Sequence, residues 1–205
     1  MKLYLVRHGE SESNANKVHQ GGYSPLTALG LKQAKTIARR VSKLSIEMIF
    51  TSDYKRTMQT TAEIKKLVQR KIIVSKLLRE EKSPSEFIGK SMEDPEVVRI
   101  RTMFRKNYHK NWHYSDEENF FDLKTRVQKF LRLVERRKEK NILAVGHGMT
   151  TRMVVAVMIF GEKLTPEVFK RFRYGLLTSN TGITACEFKE GRWQVLTWND
   201  HAHLG

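Results

Sequence analysis

The sequence is short of cysteine, of proline and of long apolar runs. Among 205 residues there are four prolines and one cysteine, Cys186, so an intramolecular disulfide and a collagen-like chain are both excluded. The longest purely apolar run, Met153 to Phe160, has eight residues, whereas a membrane-spanning helix needs about 18 or more. The first residues also lack the apolar centre of a secretory signal, so we expect a cytoplasmic protein with no membrane partner.

Acidic residues are scarce relative to basic ones. The chain has 38 Lys and Arg against 22 Asp and Glu, which gives a formal net charge of +16. Its hydrophobic fraction of 40% is too high for a wholly unfolded chain, and its length suits a single domain spanning residues 1–205. The charge indicates an anionic partner, which could be a nucleic acid, an anionic membrane surface or a small anionic substrate.

Short apolar runs alternate with amphipathic segments along most of the chain. Such alternation predicts βαβ units and a mostly parallel sheet. The predicted strands are Lys2–Val6, Met48–Thr51, Ile72–Leu78 and Asn141–Gly146. The predicted helices run from Thr27, as the N-cap, to about Lys43, from a cap at Ser52 or Asp53 onward, from Gly148 to Phe160, and from Thr165-Pro166 onward.

Two regions depart from this alternation. Between residues 83 and 126 the strand and helix rhythm lapses, and helices are predicted over Pro95–Tyr108 and from about Asn119 to Lys138. We call residues 83–126 the lid segment, because insertions at the carboxyl ends of strands border the ligand site in α/β folds. At the other end, Ile183–Phe188 and Trp193–Trp198 alternate around Glu190-Gly191, which predicts a C-terminal β-hairpin.

Several of the predicted strands end in residues that suit phosphate chemistry. Arg7-His8-Gly9-Glu10 follows the first strand and Gly146-His147-Gly148 the fourth, so the two histidines would converge if these strands were neighbours. Arg56 lies just beyond the second strand and Glu80 just beyond the third. Phosphoryl transfer through a phosphohistidine needs this set: a neutral imidazole nucleophile, cations around the transferring oxygens, and an acid for the leaving group.

The order of these motifs carries a resemblance to a known family. Arg-His-Gly-Glu-Ser, Ser-Asp-x-x-Arg-Thr-x-Gln-Thr, Leu-Arg-Glu and Gly-His-Gly occur in that order between Leu5 and about Phe188. In this the chain resembles the histidine phosphatase superfamily, in its phosphoglycerate mutase-like branch. The resemblance implies a three-layer α/β/α sandwich on a mostly parallel sheet.

The resemblance also implies a role for each matching residue. His8 would be the nucleophile that becomes phosphorylated, and Arg7, Arg56 and His147 would hold the phosphoryl group. Glu80 would be the proton donor, with Glu81 as the alternative. The predicted substrate contacts are Asn14, Gln20, Gly21 and Gly148, besides Arg7, Arg56 and His147.

The sequence favours a phosphatase acting on a small phosphomonoester, without a metal or other cofactor. It lacks the Arg-His-Tyr-Gly segment of the glycolytic mutases, but mutase-type phosphotransfer stays open because only the phosphoryl acceptor differs. A second alternative is a basic protein that binds nucleic acid or polyphosphate, since residues 99–140 contain 13 Lys or Arg against six Asp or Glu. His109 with His113 and His201 with His203 lack further ligands at metal spacing, so no metal site is predicted. The oligomeric state is left open.

Overall fold

A computed structural model describes all residues 1–205 and contains one six-stranded sheet. The strand order is β3-β2-β4-β1-β5-β6. The first four strands in this order are parallel, and the last two are antiparallel to their neighbours. The strands are β1 (Lys2–Arg7), β2 (Met48–Thr51), β3 (Lys71–Val74), β4 (Asn141–Gly146), β5 (Ile183–Lys189) and β6 (Arg192–Asp200). The mostly parallel sheet and the C-terminal hairpin predicted from the sequence are thereby confirmed.

Seven α-helices accompany the sheet. They are α1 (Glu12–Ala15), α2 (Ala28–Val41), α3 (Lys55–Leu67), α4 (Pro95–Asn107), α5 (Phe120–Glu135), α6 (Gly148–Phe160) and α7 (Pro166–Gly175). Thr27 caps α2 and Thr165 caps α7, each by accepting a hydrogen bond from a backbone N–H in the first turn. None of these helices is long and apolar enough to cross a membrane.

The sheet separates two apolar clusters, which makes the α/β/α layering. Consecutive strand residues point to opposite faces, so Leu5 belongs to one cluster and Val6 to the other. The larger cluster packs α5 and α6 against the sheet, and the smaller packs α2 and α3 against its other face. Helix α6 is apolar on nearly all sides, as expected of a helix with several fully buried faces.

The central strands bring the two histidine motifs together. Strands β1 and β4 are parallel neighbours, and their register pairs Arg7 with Gly146. His8 directly follows β1 and His147 directly follows β4, so the two histidines lie side by side at the carboxyl edge of the sheet. This is the place where open α/β sheets bind ligands.

Two local predictions are wrong. The third strand ends at Val74 rather than Leu78, because Ser75 turns the chain into a short 3-10 turn, Lys76–Leu78. Helix α3 begins at Lys55, with Tyr54 in the N-cap position and no side-chain cap. Ser52 and Asp53 therefore do not cap the helix, and both side chains are engaged elsewhere near the site.

The lid segment has a small core of its own. Phe87, Val97 and Ile100 form a separate buried cluster, against which Phe104 and Tyr114 pack. Helix α5, by contrast, buries its apolar face in the larger main cluster from Phe120 onward. The part of the lid segment that stands apart from the main core therefore ends before α5.

Candidate active site

His8 and His147 form the centre of the site. Their ring centroids lie 5.1 Å apart in an edge-to-face arrangement. Both side chains are buried, at 2% and 0% exposure. Burial lowers the pKa of each histidine well below its usual value, and the charges of Arg56 and Arg7 lower both further. Both imidazoles are therefore neutral at physiological pH.

The hydrogen bonds of His8 define its tautomer. Nδ1 lies 2.6 Å from the carbonyl oxygen of Gly9, and Arg56 Nε donates to Nε2 at 3.1 Å. A guanidinium can only donate and a carbonyl can only accept. Nδ1 therefore carries the proton, and Nε2 presents its lone pair towards Arg56.

Arg56 is buried on the first turn of α3, at 1% exposure. Its Nη1 donates to the carbonyl oxygen of Gly21 at 2.9 Å. The centre of its guanidinium lies 4.9 Å from the centroid of the Tyr54 ring, a cation–π contact. Burial lowers the pKa of Arg56 to about 10, and the negative charge of Glu80 partly opposes that shift. The side chain is thus a buried, positioned cation beside Nε2 of His8.

Arg7 and His147 each keep one buried polar atom without a hydrogen-bond partner. Arg7 Nη1 donates to the carbonyl oxygen of Thr178 at 2.6 Å, while its Nε has no partner. His147 Nε2 lies 3.1 Å from Ser52 Oγ, while its Nδ1 has no partner. Unpaired buried polar groups are costly and occur at functional sites. Together with Arg56 and the positive N-terminal end of α6, which starts at Gly148, they make a pocket suited to an anion.

Glu80 lies at the same helix end. Its carboxylate accepts hydrogen bonds from the backbone N–H groups of Met149 and Thr150, at 3.0 to 3.1 Å. Glu81 has a different partner, because its Oε1 lies 4.0 Å from Nη1 of Arg173. Burial raises the pKa of Glu81, and the charge of Arg173 opposes that rise. Of the two carboxylates, Glu80 is the one held beside His147.

Of the predicted substrate contacts, Gly21 and Gly148 adjoin residues of this centre, whereas Asn14 and Gln20 are linked to Ser11. Ser11 Oγ is 3.0 Å from both Asn14 Oδ1 and Gln20 Oε1, which ties α1 to the following loop. Gly21 takes part through its carbonyl oxygen, the acceptor for Arg56. At Gly148, a Cβ would come within 2.8 Å of Thr178 Oγ1, so only glycine fits without displacement. The substrate-binding roles of these residues stay predictions.

Several residues of the site were not identified from the sequence. Ser52 bonds to His147, and Asn180 Nδ2 donates to the carbonyl oxygen of His8 at 3.0 Å. Tyr54 contacts both Arg56 and the ring of His147, whose centroid is 5.2 Å away. Thr178 and Asn180 stand in a loop far along the chain, and no motif marks them. Ser52 and Tyr54 stand inside a recognised motif, but the spacing alone favoured a capping role for Ser52.

The chain belongs to the histidine phosphatase superfamily (branch 1), which it matches over residues 3–201. It is 31% identical over 162 residues to "Putative phosphoserine phosphatase 2" of Hydrogenobacter thermophilus, covering 77% of this chain and 78% of that one. It is 30% identical to "Probable phosphoglycerate mutase GpmB" of Yersinia enterocolitica, covering 100% of this chain and 95% of that one. The crystal structure of a "putative alpha-ribazole-5'-P phosphatase" from Escherichia coli has the same fold, with a TM-score of 0.84 and 21% identity over 98% of this chain and 96% of that one. The resemblance read from the motifs is therefore confirmed at the level of the family.

No group of three or more His, Cys, Asp or Glu side chains is placed to hold a metal ion. Of the histidine pairs singled out in the sequence, His113 lies 2.6 Å from Asp122 and His203 Nε2 lies 3.2 Å from Thr181 Oγ1.

Proposed function

We propose that this protein is a phosphatase that hydrolyses a small phosphomonoester through a phosphohistidine formed at His8. The observation that carries the proposal is the state of His8: a neutral imidazole whose Nδ1–H donates to the carbonyl oxygen of Gly9 and whose unprotonated Nε2 accepts a hydrogen bond from the buried Arg56. An imidazole in this form is a competent nucleophile, and the adjacent cations stabilise the negative charge on the phosphoryl oxygens.

In the first half of the reaction, Nε2 of His8 attacks phosphorus and the bond to the ester oxygen breaks. Arg7, Arg56 and His147 hold the three non-bridging oxygens, using the unpaired atoms described above and the Nε–H that Arg56 now directs at His8. Protonated Glu80 gives its proton to the leaving oxygen, so the alcohol departs neutral. The positive charge at the phosphoryl group comes from side chains, so the proposed chemistry uses no metal ion.

In the second half, water attacks the phosphohistidine on the face that the alcohol has left. Glu80, now a carboxylate, takes a proton from this water while the bond between phosphorus and Nε2 breaks. Inorganic phosphate leaves, and both His8 and protonated Glu80 are restored. The position of Glu80 at the start of α6, next to His147, supports it over Glu81 for both proton transfers.

Mutase-type phosphotransfer is the second candidate, because the relative from Yersinia enterocolitica is named as a mutase and its match covers the full length of this chain. The two reactions share every step up to the phosphohistidine. They differ in whether water or a second hydroxyl of a phosphorylated sugar acid accepts the phosphoryl group.

The test combines one variant with two assays. We expect the purified protein to release phosphate from p-nitrophenyl phosphate, and His8→Ala to lose at least about a thousandfold in kcat/KM, because no other nucleophile is placed at the phosphorus. Acid-labile, base-stable phosphate on the protein after rapid quenching would report the phosphohistidine. His109→Ala, an exposed histidine of the lid segment, is the matched control and should keep full activity.

Two results would contradict the proposal. One is His8→Ala with unchanged turnover. The other is efficient interconversion of 2- and 3-phosphoglycerate, dependent on bisphosphoglycerate and with negligible hydrolysis, which would establish the mutase instead.

A further inference from the structure

A cavity of about 230 Å³ lies between the lid segment and α7, and none of the proposed catalytic residues lines it. Glu118, in its wall, binds Arg126, which also donates to the carbonyl oxygen of Glu80. Glu81, in its wall, directly follows Glu80, and His19, also in its wall, directly precedes Gln20 and Gly21. The cavity is therefore bordered by the chain segments that hold the catalytic carboxylate and the carbonyl bonded to Arg56. No step of the proposed phosphate chemistry uses it.

The cationic residues of the cavity outnumber the carboxylates available to them. Arg101 and Arg105 are one helical turn apart on α4, and both line the cavity with Lys110 and Lys170. None of these four side chains is within 4.0 Å of a carboxylate, although other arginines and lysines of the protein form eleven such pairs. Four of the six basic side chains that line the cavity are thus left without an acidic partner.

The carboxylates in the wall already have partners. Glu117 accepts hydrogen bonds from the backbone N–H groups of Tyr114 and Ser115, at 2.7 and 2.8 Å. Glu118 forms a bidentate ion pair with Arg126, whose Nε and Nη2 donate to Oε1 and Oε2 at 2.6 and 2.7 Å. Glu81, the remaining one, faces Arg173. The unpaired arginines of α4 consequently have no protein anion to bind.

Aromatic side chains provide the rest of the wall. Phe104 lies between Arg101 and Arg105 in the sequence, and its ring centroid is 6.3 Å from those of Phe87 and Trp112. Buried among them, Nε2 of His19 has no hydrogen-bond partner. Sites for small molecules combine an apolar wall with a few polar or charged groups that fix orientation, as this cavity does.

We propose that this cavity binds the part of the substrate that carries no reacting phosphate, and that Arg101 and Arg105 bind a second anionic group at its far end. The substrate class is therefore a phosphomonoester with an apolar or sugar-sized body and a distal carboxylate or phosphate. This inference rests on the proposed function, because it assigns a specificity subsite to the same reaction. Guanidinium groups pair well with either anion.

The test compares three substrates that share a six-carbon chain. They are hexyl phosphate, 6-(phosphonooxy)hexanoate and hexane-1,6-diol bisphosphate, so the distal end is uncharged, a carboxylate or a phosphate. For the wild type we expect kcat/KM to be at least about tenfold higher for one or both of the anionic substrates, mostly through a lower KM. The preferred anion identifies which of the two groups the subsite takes.

The variant removes the positive charges of Arg101 and Arg105 from the cavity wall. In Arg101→Gln/Arg105→Gln we expect the ratio of kcat/KM for the anionic substrates to kcat/KM for hexyl phosphate to fall to about one. The control, Arg99→Gln/Lys106→Gln, removes the same charge from exposed positions of the same helix that do not line the cavity, and it should keep the advantage.

Three outcomes would overturn the subsite: equal kcat/KM for all three substrates in the wild type, an advantage that survives in the Arg101/Arg105 variant, or an equal loss in the control. The last result would assign the preference to overall charge rather than to these two arginines. Failure of the proposed function would look different, because hexyl phosphate would then not be hydrolysed at all.

Discussion

At the scale of single residues, Tyr54 links the charged groups of the site. Two guanidinium groups lie against its ring, those of Arg56 at 4.9 Å and Arg79 at 5.4 Å, and the ring of His147 meets it at 5.2 Å. Asp53 holds Arg79 from the other side through an ion pair. Tyr54 therefore acts as a positioning residue, because the negative face of its ring orients cations without neutralising them.

Two substitutions of Tyr54 distinguish the contribution of its ring from that of its hydroxyl group. We expect Tyr54→Phe to behave like the wild type, whereas Tyr54→Leu should lower kcat/KM about 2- to 30-fold, the equivalent of one cation–π contact of about 0.5 to 2 kcal/mol. Inhibition by inorganic phosphate should weaken in parallel in the leucine variant, since Arg56 is then less well oriented. Equal activity of Tyr54→Leu and wild type would remove the positioning role, and an equal loss in both variants would move it to the hydroxyl.

The catalytic set itself was accessible from the sequence, for a physical reason. His8 and His147 each follow directly on a strand, and Arg56 lies on the first turn of the helix after β2. Their convergence therefore depended on strand order, which the parallel pairing of β4 with both β1 and β2 supplies. Contacts that depend on distant loops were not accessible. Thr178, whose carbonyl oxygen accepts from Arg7, carries no signal at all in its local pattern.

At the scale of elements, the loop after β1 is fixed by a close approach to α2. A Cβ on Gly30, in the first turn of α2, would stand 1.9 Å from the carbonyl oxygen of Glu10, and one on Gly9 would stand 2.4 Å from the carbonyl oxygen of Gly30. The contact is between backbone atoms, so no side chain can turn aside to relieve it. This helix therefore sets the position of the loop that carries His8.

We expect Gly30→Ala to destabilise the protein by about 1 to 3 kcal/mol, the usual cost of forcing an extra group into a packed site, and to lower activity by displacing His8. Gly175→Ala, at the end of α7, is the matched control because nothing lies within 4 Å of its Cβ position. Urea unfolding followed by circular dichroism gives both free energies. The same unfolding midpoint in the two variants would contradict the role assigned to this contact.

Element boundaries show where local patterns stop being informative. The apolar run of Ile72 to Leu78 continues past the end of β3, because Leu78 is buried in the main core from a 3-10 turn rather than from a strand. Ser52 has a residue type that favours a helix cap, but its hydroxyl is used by His147 instead. In both places a tertiary contact decides the structure, and the sequence pattern cannot show it.

At the scale of the whole molecule, the net charge of +16 has a partial structural assignment. The half-buried Arg7 and the buried Arg56 lie at the proposed phosphate site, and Arg101 and Arg105 line the cavity beside the lid segment. Positive charge at both the proposed phosphate site and the cavity favours the approach of multiply charged anions. Under the proposed function, a small anionic substrate accounts for part of the excess of basic residues.

The same burial of charge-bearing groups makes stability depend on pH. Burial holds the pKa of both His8 and His147 well below the value of about 6.5 that they have in the unfolded chain. Below pH 6.5 the unfolded chain therefore binds protons that the folded protein does not. By linkage, the free energy of unfolding falls as the pH drops below about 6.5, with a slope that approaches about 1.4 kcal/mol per histidine for each pH unit, until the folded-state pKa is reached.

This effect can be measured by urea unfolding at pH 7.5, 6.5 and 5.5 in phosphate-free buffer. We expect the wild type to lose stability on going from pH 6.5 to 5.5, and His147→Gln to lose about 1 kcal/mol less over that interval, because one buried titrating group is gone. His109→Gln replaces an exposed histidine and should follow the wild type. His19 and His203, whose pKa values burial also lowers, add to the slope in all three proteins and cancel in the comparison. Parallel pH dependences in wild type and His147→Gln would mean that His147 takes up its proton in the folded protein, and a neutral imidazole could then no longer be assigned to the site at pH 5.5.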